Sequence, residues 1–270
     1  MAIAKSVHLH PTAVIDPAAE LGKDVRVGPF VVIDGPVRVG PGCDIRAGAH
    51  LFGHLTLGEG NVVHSHAVLG DAPQHLKFSG EPTRVEIGDF NTFREGVTVH
   101  RAAQPGGATR IGNRNFFMAY SHIAHDCVVG NNCVLANSAV VAGHAVLENN
   151  VTLSGNSAVH QFCRVGRLAL ISGISGTTMD HPPFMIGQKI NTICGVNVIG
   201  MRRAGISNLA IEAIRRAFHI IYRSANVLPC SLAQLERELG HFDEVTELLQ
   251  FIRNSKRGIT LDLDSERHAA

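Results

Sequence analysis

A repeat of six residues organises the first two thirds of the chain. Large aliphatic or aromatic residues recur at every sixth position in three runs, at positions 15 to 69, 87 to 99 and 111 to 171, and no polar residue interrupts them. Hexapeptide periods of this kind are typical of a parallel β-helix, in which each short strand contributes one large inward side chain. The first run consists of Ile15, Leu21, Val27, Ile33, Val39, Ile45, Leu51, Leu57, Val63 and Leu69.

A second inward position follows four residues after each large one and usually holds a small or β-branched side chain. Four of the six cysteines stand at this position, and the chain has no Cys-x-x-Cys pair that would indicate a zinc ribbon or a thiol redox site. We therefore expect these cysteines to be small buried hydrophobic residues. They are Cys43, Cys127, Cys133 and Cys163.

Three hexapeptides close one triangular coil, so positions 18 residues apart should stack at about 4.8 Å, the strand spacing of a β-sheet. The hexapeptide-repeat families imply the left-handed form. Two segments, 71–86 and 102–110, break the repeat and predict loops on one face of the solenoid, where insertions often carry function. The expected fold is mainly β, a left-handed parallel β-helix over residues 1–200, with an α-helical domain over residues 201–270.

The C-terminal part changes to a helical period from about Ser207. Ser231 with Gln234 predicts a capping box at the start of a second helix, and Asp243 predicts the cap of a third helix that ends near Gly258. This small helical domain should cover the last coil.

The balance of 24 Lys and Arg against 23 Asp and Glu leaves a formal net charge of +1, so the sequence has no overall basic field for nucleic acid. The N-terminus carries no apolar stretch of signal-peptide length, and no run of about 18 apolar residues could span a bilayer. We expect a cytoplasmic protein that neither binds nucleic acid nor inserts into a membrane.

The chain has sixteen histidines, and the stacking of positions 18 residues apart predicts which of them lie close together. His125 then stacks with Gly143 and Gln161, and Asp126 stacks with His144, which predicts one cluster on one face. A neutral imidazole can act as a general base, and a nearby carboxylate can set its tautomer. The backbone N–H of Gly143 could stabilise an oxyanion.

Several segments closely resemble the UDP-N-acetylglucosamine O-acyltransferases of lipid A biosynthesis, and the resemblance covers essentially the whole chain. It implies a homotrimeric cytosolic enzyme that moves an (R)-3-hydroxyacyl group from acyl carrier protein to the 3-position of a UDP-linked glucosamine, without a metal or cofactor. The segments are Gly80–Gly88, His122–Cys127, Gly143–His144, Ala158–Cys163 and Ile220–Ser224.

The resemblance also implies site residues. His125 matches the general base, Asp126 the residue that orients it, and Gly143 the oxyanion donor. Gly173 matches the position that measures acyl-chain length, and its lack of a side chain suggests a long chain. The matches for binding the nucleotide sugar or shaping the cleft are Gln74, Lys77, His122, His144, His160, Gln161, Asn197 and Arg203.

The chain departs from the family pattern in the first insertion, where His75 replaces the usual acidic residue between glutamine and leucine. By resemblance this group lies near the 3-substituent of the acceptor. We hypothesise that the natural acceptor carries a 3-amino group, which would give N-acylation. The paired arginines of the family are also altered, because Ala204 follows Arg203.

Two other classes of protein fit parts of the pattern. Hexapeptide-repeat trimers similar to the γ-type carbonic anhydrases bind zinc through three histidines at a subunit interface. A non-catalytic solenoid scaffold is the third possibility. The histidine spacing and the helical tail favour the acyltransferase.

Overall fold

Short parallel strands stack into the three faces of a left-handed β-helix in the computed structural model, which describes residues 2–3 and 6–263. Sheet A contains Ala2–Ile3, Glu20–Leu21, Arg38–Val39, His54–Leu57, Arg84–Ile87, Ala108–Ile111, Val128–Val129, Val146–Leu147 and Arg164–Val165. Sheet B contains His8–Leu9, Arg26–Val27, Asp44–Ile45, Val62–Val63, Thr92–Phe93, Phe116–Phe117, Val134–Leu135, Thr152–Leu153, Leu170–Ile171, Met185–Gln188, Thr192–Val196 and Asp262–Leu263. Sheet C contains Val14–Ile15, Val32–Asp34, His50–Phe52, Val68–Asp71, Thr98–His100, His122–Ile123, Val140–Val141, Ala158–Val159 and Gly176–Thr177.

The strand register confirms the predicted stacking. Leu135 pairs with Leu153 one coil further on. The pairing also continues across both insertions, since Leu57 lies opposite Ile87 and Val99 lies opposite Ile123. The insertions therefore lengthen single coils without disturbing the core.

The four cysteines at the small inward position are fully buried, as predicted. Burial raises the pKa of Cys43 to about 11 and that of Cys127 to about 12, because a thiolate would lose its hydration. These thiols are therefore protonated core residues.

Four helices follow the solenoid within the described part of the chain: α1 (Val198–Arg203), α2 (Asn208–Tyr222), α3 (Leu228–Leu239) and α4 (Asp243–Arg253). Ser207 caps α2 by accepting the N–H of Ala210. The predicted capping box at Ser231 is wrong, because α3 begins earlier at Leu228 and the buried Ser231 hydroxyl donates to the carbonyl of Ile220. The prediction for the third helix is also wrong at both ends, since Phe242 is its N-cap and it ends at Arg253.

The helices pack on the end of the solenoid. Leu168 and Phe184 belong to the same hydrophobic cluster as the buried faces of α2, α3 and α4. The Arg167 guanidinium donates hydrogen bonds to both oxygens of the Glu247 carboxylate of α4, at 2.9, 3.1 and 2.7 Å. The hydrophobic cluster of the cap is separate from that of the solenoid, but it includes Leu168, Phe184, Met185 and Ile193, so the division into residues 1–200 and 201–270 stays a prediction. Among the described residues, no helix combines the length and apolarity that a bilayer crossing requires.

Candidate functional site

One edge of the solenoid, where the chain passes from sheet C to sheet A, carries most of the predicted site residues. His125 and Asp126 form this turn in one coil, and Gly143 and His144 form it in the next. Both insertions also leave the solenoid here, between a strand of sheet C and the following strand of sheet A. Consecutive coils therefore bring their turns and the two loops together along a single edge.

His125 and Asp126 form a hydrogen-bonded pair. The Nδ1 atom of His125 lies 2.8 Å from Oδ2 of Asp126, and both side chains are about nine-tenths buried. Asp126 has a left-handed backbone with φ 60°, so the pair lies in a tight turn and not in an extended strand. When the carboxylate accepts the Nδ1–H, Nε2 keeps its lone pair and can accept a proton from a substrate.

Gly143 lies directly against the His125 ring. A Cβ atom at residue 143 would stand 2.6 Å from Cε1 of His125 and 2.8 Å from Nε2. Glycine is therefore the residue that leaves room for the imidazole. No hydrogen bond from the Gly143 N–H to another described residue is formed, so this donor is available to a ligand.

The second insertion holds the Asp126 carboxylate. The N–H groups of Ala103 and Gln104 donate to its two oxygens, at 2.9 and 3.4 Å. Although burial acts to raise it, the hydrogen bonds from Ala103 and His125 hold the pKa of Asp126 below its usual value. The carboxylate is therefore charged at neutral pH.

His144 completes the cluster from the next coil. Its ring stacks on Phe162 at 4.4 Å with an interplanar angle of 6°, and it meets the His125 ring edge to face at 5.1 Å. Its Nε2 atom lies 3.8 Å from Oδ2 of Asp126. Burial lowers the pKa of His144, which favours the neutral imidazole.

His122 lies in the strand of sheet C that leads into the turn of His125. Its Nδ1 atom lies 2.7 Å from Oγ1 of Thr98, and burial lowers its pKa to about 4. His100 contacts it edge to face at 4.9 Å. The His100 ring is buried, and among the described residues its Nδ1 has no hydrogen-bond partner.

Sequence reasoning missed His100 because the second insertion breaks the spacing of 18 residues. Pairing Val99 with Ile123 across the insertion restores the register and sets His100 beside this cluster. The sequence contained this signal, because both Val99 and Ile123 belong to the pattern of large apolar residues.

The first insertion lies over the cluster. The His75 ring meets the His125 ring edge to face at 5.2 Å. Gln74 and Lys77 are exposed in the same loop, and the Arg101 guanidinium lies 5.4 Å from the centroid of the Phe78 ring. His75, the departure from the family pattern, therefore lies beside the His125 ring.

The other predicted residues are spread along the molecule. His160 and Gln161 are exposed at the same edge, one coil beyond His144. Gly173 lies at a different edge, between sheets B and C. Asn197 caps α1, where its side-chain amide donates to the carbonyl of Leu168, and Arg203 is exposed in the last turn of that helix.

The ligand atoms of His125, Asp126 and His144 lie within 4.8 Å of one another, which is close enough for them to share a metal ion. The set is two imidazoles and one carboxylate, unlike the three histidines of the zinc alternative. The Asp126 oxygens already accept hydrogen bonds from His125, Ala103 and Gln104. The donor set therefore fits an oriented base better than that zinc site.

Comparisons with known proteins identify the family of this chain. The family profile of domain 2 of UDP-N-acetylglucosamine O-acyltransferases matches residues 180–260, and the bacterial transferase hexapeptide profile matches residues 18–53 and 108–143. An acyl-[acyl-carrier-protein]–UDP-N-acetylglucosamine O-acyltransferase of Anaeromyxobacter is 47% identical over 93% of this chain and 99% of that protein. The protein of the same name from Halorhodospira halophila is 44% identical over 93% of this chain and 98% of its own length.

Solved structures give the same result. The UDP-N-acetylglucosamine acyltransferase of Bacteroides fragilis superposes with a TM-score of 0.89 at 40% identity, covering 93% of this chain and 99% of that one. The homologous structure from Acinetobacter baumannii has a TM-score of 0.89 at 35% identity, covering 95% of this chain and 100% of the other. The chain therefore belongs to the UDP-N-acetylglucosamine O-acyltransferase family and is an acyltransferase built on a hexapeptide-repeat β-helix.

Proposed function

We propose that the protein transfers an (R)-3-hydroxyacyl chain from acyl carrier protein to the 3-position of UDP-N-acetylglucosamine, the first step of lipid A biosynthesis. The observation that carries this proposal is the His125–Asp126 pair, which lies against Gly143. Family membership supports the substrates, because the relatives carry the acyl carrier protein and UDP-N-acetylglucosamine in their names.

In the proposed mechanism, Nε2 of His125 accepts the proton of the acceptor group while that group attacks the thioester carbonyl. The Asp126 carboxylate stabilises the imidazolium that forms. The carbonyl oxygen becomes an oxyanion, which the Gly143 N–H stabilises. Collapse of the tetrahedral intermediate breaks the carbon–sulfur bond, and the imidazolium returns its proton to the departing thiolate of the carrier.

We propose that binding of the nucleotide sugar uses the two loops and the neighbouring coils. Gln74 and Lys77 are exposed above the pair, and a lysine ammonium can pair with a phosphate. His122, His144, His160 and Gln161 border the same edge of the solenoid. Gly173, Asn197 and Arg203 do not lie at this edge, which supports a homotrimer in which a second copy supplies them.

We propose that acyl carrier protein, which is acidic, docks on the exposed basic residues of the helical cap. Arg202 and Arg203 are exposed on α1, whereas Arg215 pairs with Glu212 and Arg216 pairs with Glu238. The α1 arginines therefore offer more of their charge to a partner. The proposed location is the cytoplasm, where such a carrier would be met.

A 3-amino acceptor is a second candidate, favoured by the position of His75 beside His125. A carboxylate at this point would stabilise a protonated amine, which is not a nucleophile. An imidazole carries no negative charge, so His75 suits an amine that must attack in its neutral form.

The experiment is mass spectrometry of the products formed from the 3-hydroxy and 3-amino UDP-sugars with a mixture of 3-hydroxyacyl carrier proteins. We expect acylated UDP-sugar, and His125→Ala should reduce the rate by about 100-fold or more. His54→Ala, which changes an exposed histidine of sheet A, is the control and should retain the rate. Absence of product with both sugars would refute the proposed function, and a strong preference for the hydroxyl would refute the amine alone.

A further inference from the structure

The backbone of Asp126 is held differently from that of the other turns. In the next two coils, the residue at the position equivalent to Asp126 donates its N–H to a backbone carbonyl of the preceding coil. His144 donates to His125 in this way, and Phe162 donates to Gly143. The N–H of Asp126 instead donates to Oγ1 of Thr109, at 2.9 Å. The second insertion displaces the turn that would have supplied the carbonyl.

Thr109 is well placed to take over this role. It is fully buried in the strand Ala108–Ile111 of sheet A, at the C-terminal end of the second insertion. The same substitution of a hydroxyl for a carbonyl occurs near the N-terminus, where Thr12 accepts the N–H of Phe30. Both residues that donate their N–H to a threonine hydroxyl have a left-handed backbone, with φ 60° at Asp126 and φ 57° at Phe30.

This conformation is unfavourable for a residue with a side chain, so it persists only where contacts hold it. The Thr109 hydroxyl holds the Asp126 backbone, while the Ala103 amide holds its carboxylate. Together they fix the orientation in which Oδ2 faces Nδ1 of His125.

We propose that Thr109 is a positioning residue for acyl transfer, which acts by holding Asp126 in the left-handed conformation that pairs it with His125. The inference rests on the proposed function of that pair. Thr109 is fully buried and not exposed to a ligand, so its effect should appear in the rate of the chemical step rather than in binding of the UDP-sugar.

The test compares Thr109→Val, which removes the acceptor and keeps the shape, with Thr109→Ser, which keeps a hydroxyl. We expect Thr109→Val to lower kcat about 10-fold or more with little change in KM for the UDP-sugar. The acid limb of the pH–rate profile should move to lower pH, because a misplaced carboxylate stabilises the protonated imidazole less. Thr109→Ser should recover most of kcat and the original profile.

Ser157→Ala is the control, since Ser157 is buried outside both insertions and its hydroxyl has no hydrogen-bond partner in the described part of the chain. It should leave kcat and the pH profile unchanged. A wild-type kcat and profile in Thr109→Val would overturn the inference, and so would an equal loss in Ser157→Ala. Should Thr109→Val not fold, Thr109→Ala is read against Thr109→Ser by the same criteria. An active His125→Ala would remove the proposed function as well, whereas an inactive one beside a normal Thr109→Val would remove only this inference.

Discussion

Nδ1 of His125 and Oδ2 of Asp126 lie 2.8 Å apart although the two residues are neighbours in the sequence. Adjacent residues in an extended strand point to opposite faces and cannot pair in this way. The pair forms because it occupies a turn whose second residue has φ 60°. The same turn repeats in the next coil and brings Gly143 against the imidazole.

Replacing Asp126 by Asn should lower kcat by about 100-fold to 10,000-fold, because a neutral amide can favour the His125 tautomer whose Nε2 is already protonated. Steady-state kinetics with the UDP-sugar and acyl carrier protein measure the loss. Asp24→Asn is the control, since Asp24 is exposed and has the same left-handed backbone, with φ 58°. A loss below 10-fold would contradict the orienting role.

Gly143→Ala should also be nearly inactive. Its Cβ would stand 2.6 Å from the His125 ring, so the imidazole must move, and a displacement of about 1 Å can cost about 100-fold in rate. Gly155→Ala is the control and should retain the rate, because its Cβ would meet only the carbonyl oxygen of Asn137, at 3.6 Å. Circular dichroism should show both variants folded, and full activity of Gly143→Ala would show that the close approach is unimportant.

Gly173→Met should shift the products toward shorter acyl chains. A Cβ at residue 173 would meet the Gly155 carbonyl at 3.4 Å, an ordinary contact, so the change adds volume without forcing the backbone to move. Mass spectrometry of products from mixed acyl carrier proteins measures the distribution. An unchanged distribution would mean that chain length is measured elsewhere.

Acid should destabilise the fold through His181. This ring is buried, its Nε2 lies 3.2 Å from the carbonyl oxygen of Met185, and burial lowers its pKa to about 4. Since the folded pKa lies below that of the unfolded chain, near 6.5, the stabilisation is present above pH 6.5 and is lost as the pH falls toward 4. The loss amounts to about 3 kcal/mol in the free energy of unfolding by pH 4.

His181→Gln keeps a donor for Met185 and should flatten that pH dependence. Chemical denaturation between pH 7 and pH 4 measures the difference from the wild type. Equal slopes in the two proteins would show that other groups cause the acid sensitivity.

The contact between solenoid and cap should depend on Asp180. This buried carboxylate accepts the N–H of Arg164 and the hydroxyl of Ser255, both at 2.8 Å. Asp180→Ala leaves both donors without their partner and should lower the free energy of unfolding by about 1–3 kcal/mol. Asp34→Ala, at an exposed position of sheet C, should lower the free energy of unfolding far less. Similar losses in the two variants would show that the Asp180 hydrogen bonds do not stabilise the fold.

Much of the fold follows from residue spacing. The period of six predicts the buried positions, including Cys43 and Cys127, because an inward side chain in a narrow core has no alternative environment. The start of α3 was predicted wrongly, because Ser231 is bound to the carbonyl of Ile220, a contact between two helices that local sequence does not display. His100 and Thr109 were missed because insertions of irregular length hide which residues are neighbours.

The sequence by itself therefore determined the solenoid, the identity of its core and the convergence of His125, Asp126, Gly143 and His144, since all of these depend on a constant repeat. Only the tertiary structure decided how Asp126 is oriented and which loop holds it. Those features depend on backbone conformation at one turn and on hydrogen bonds from Ala103 and Thr109. Such contacts form between segments whose separation follows no period, so they exist only once the chain has folded.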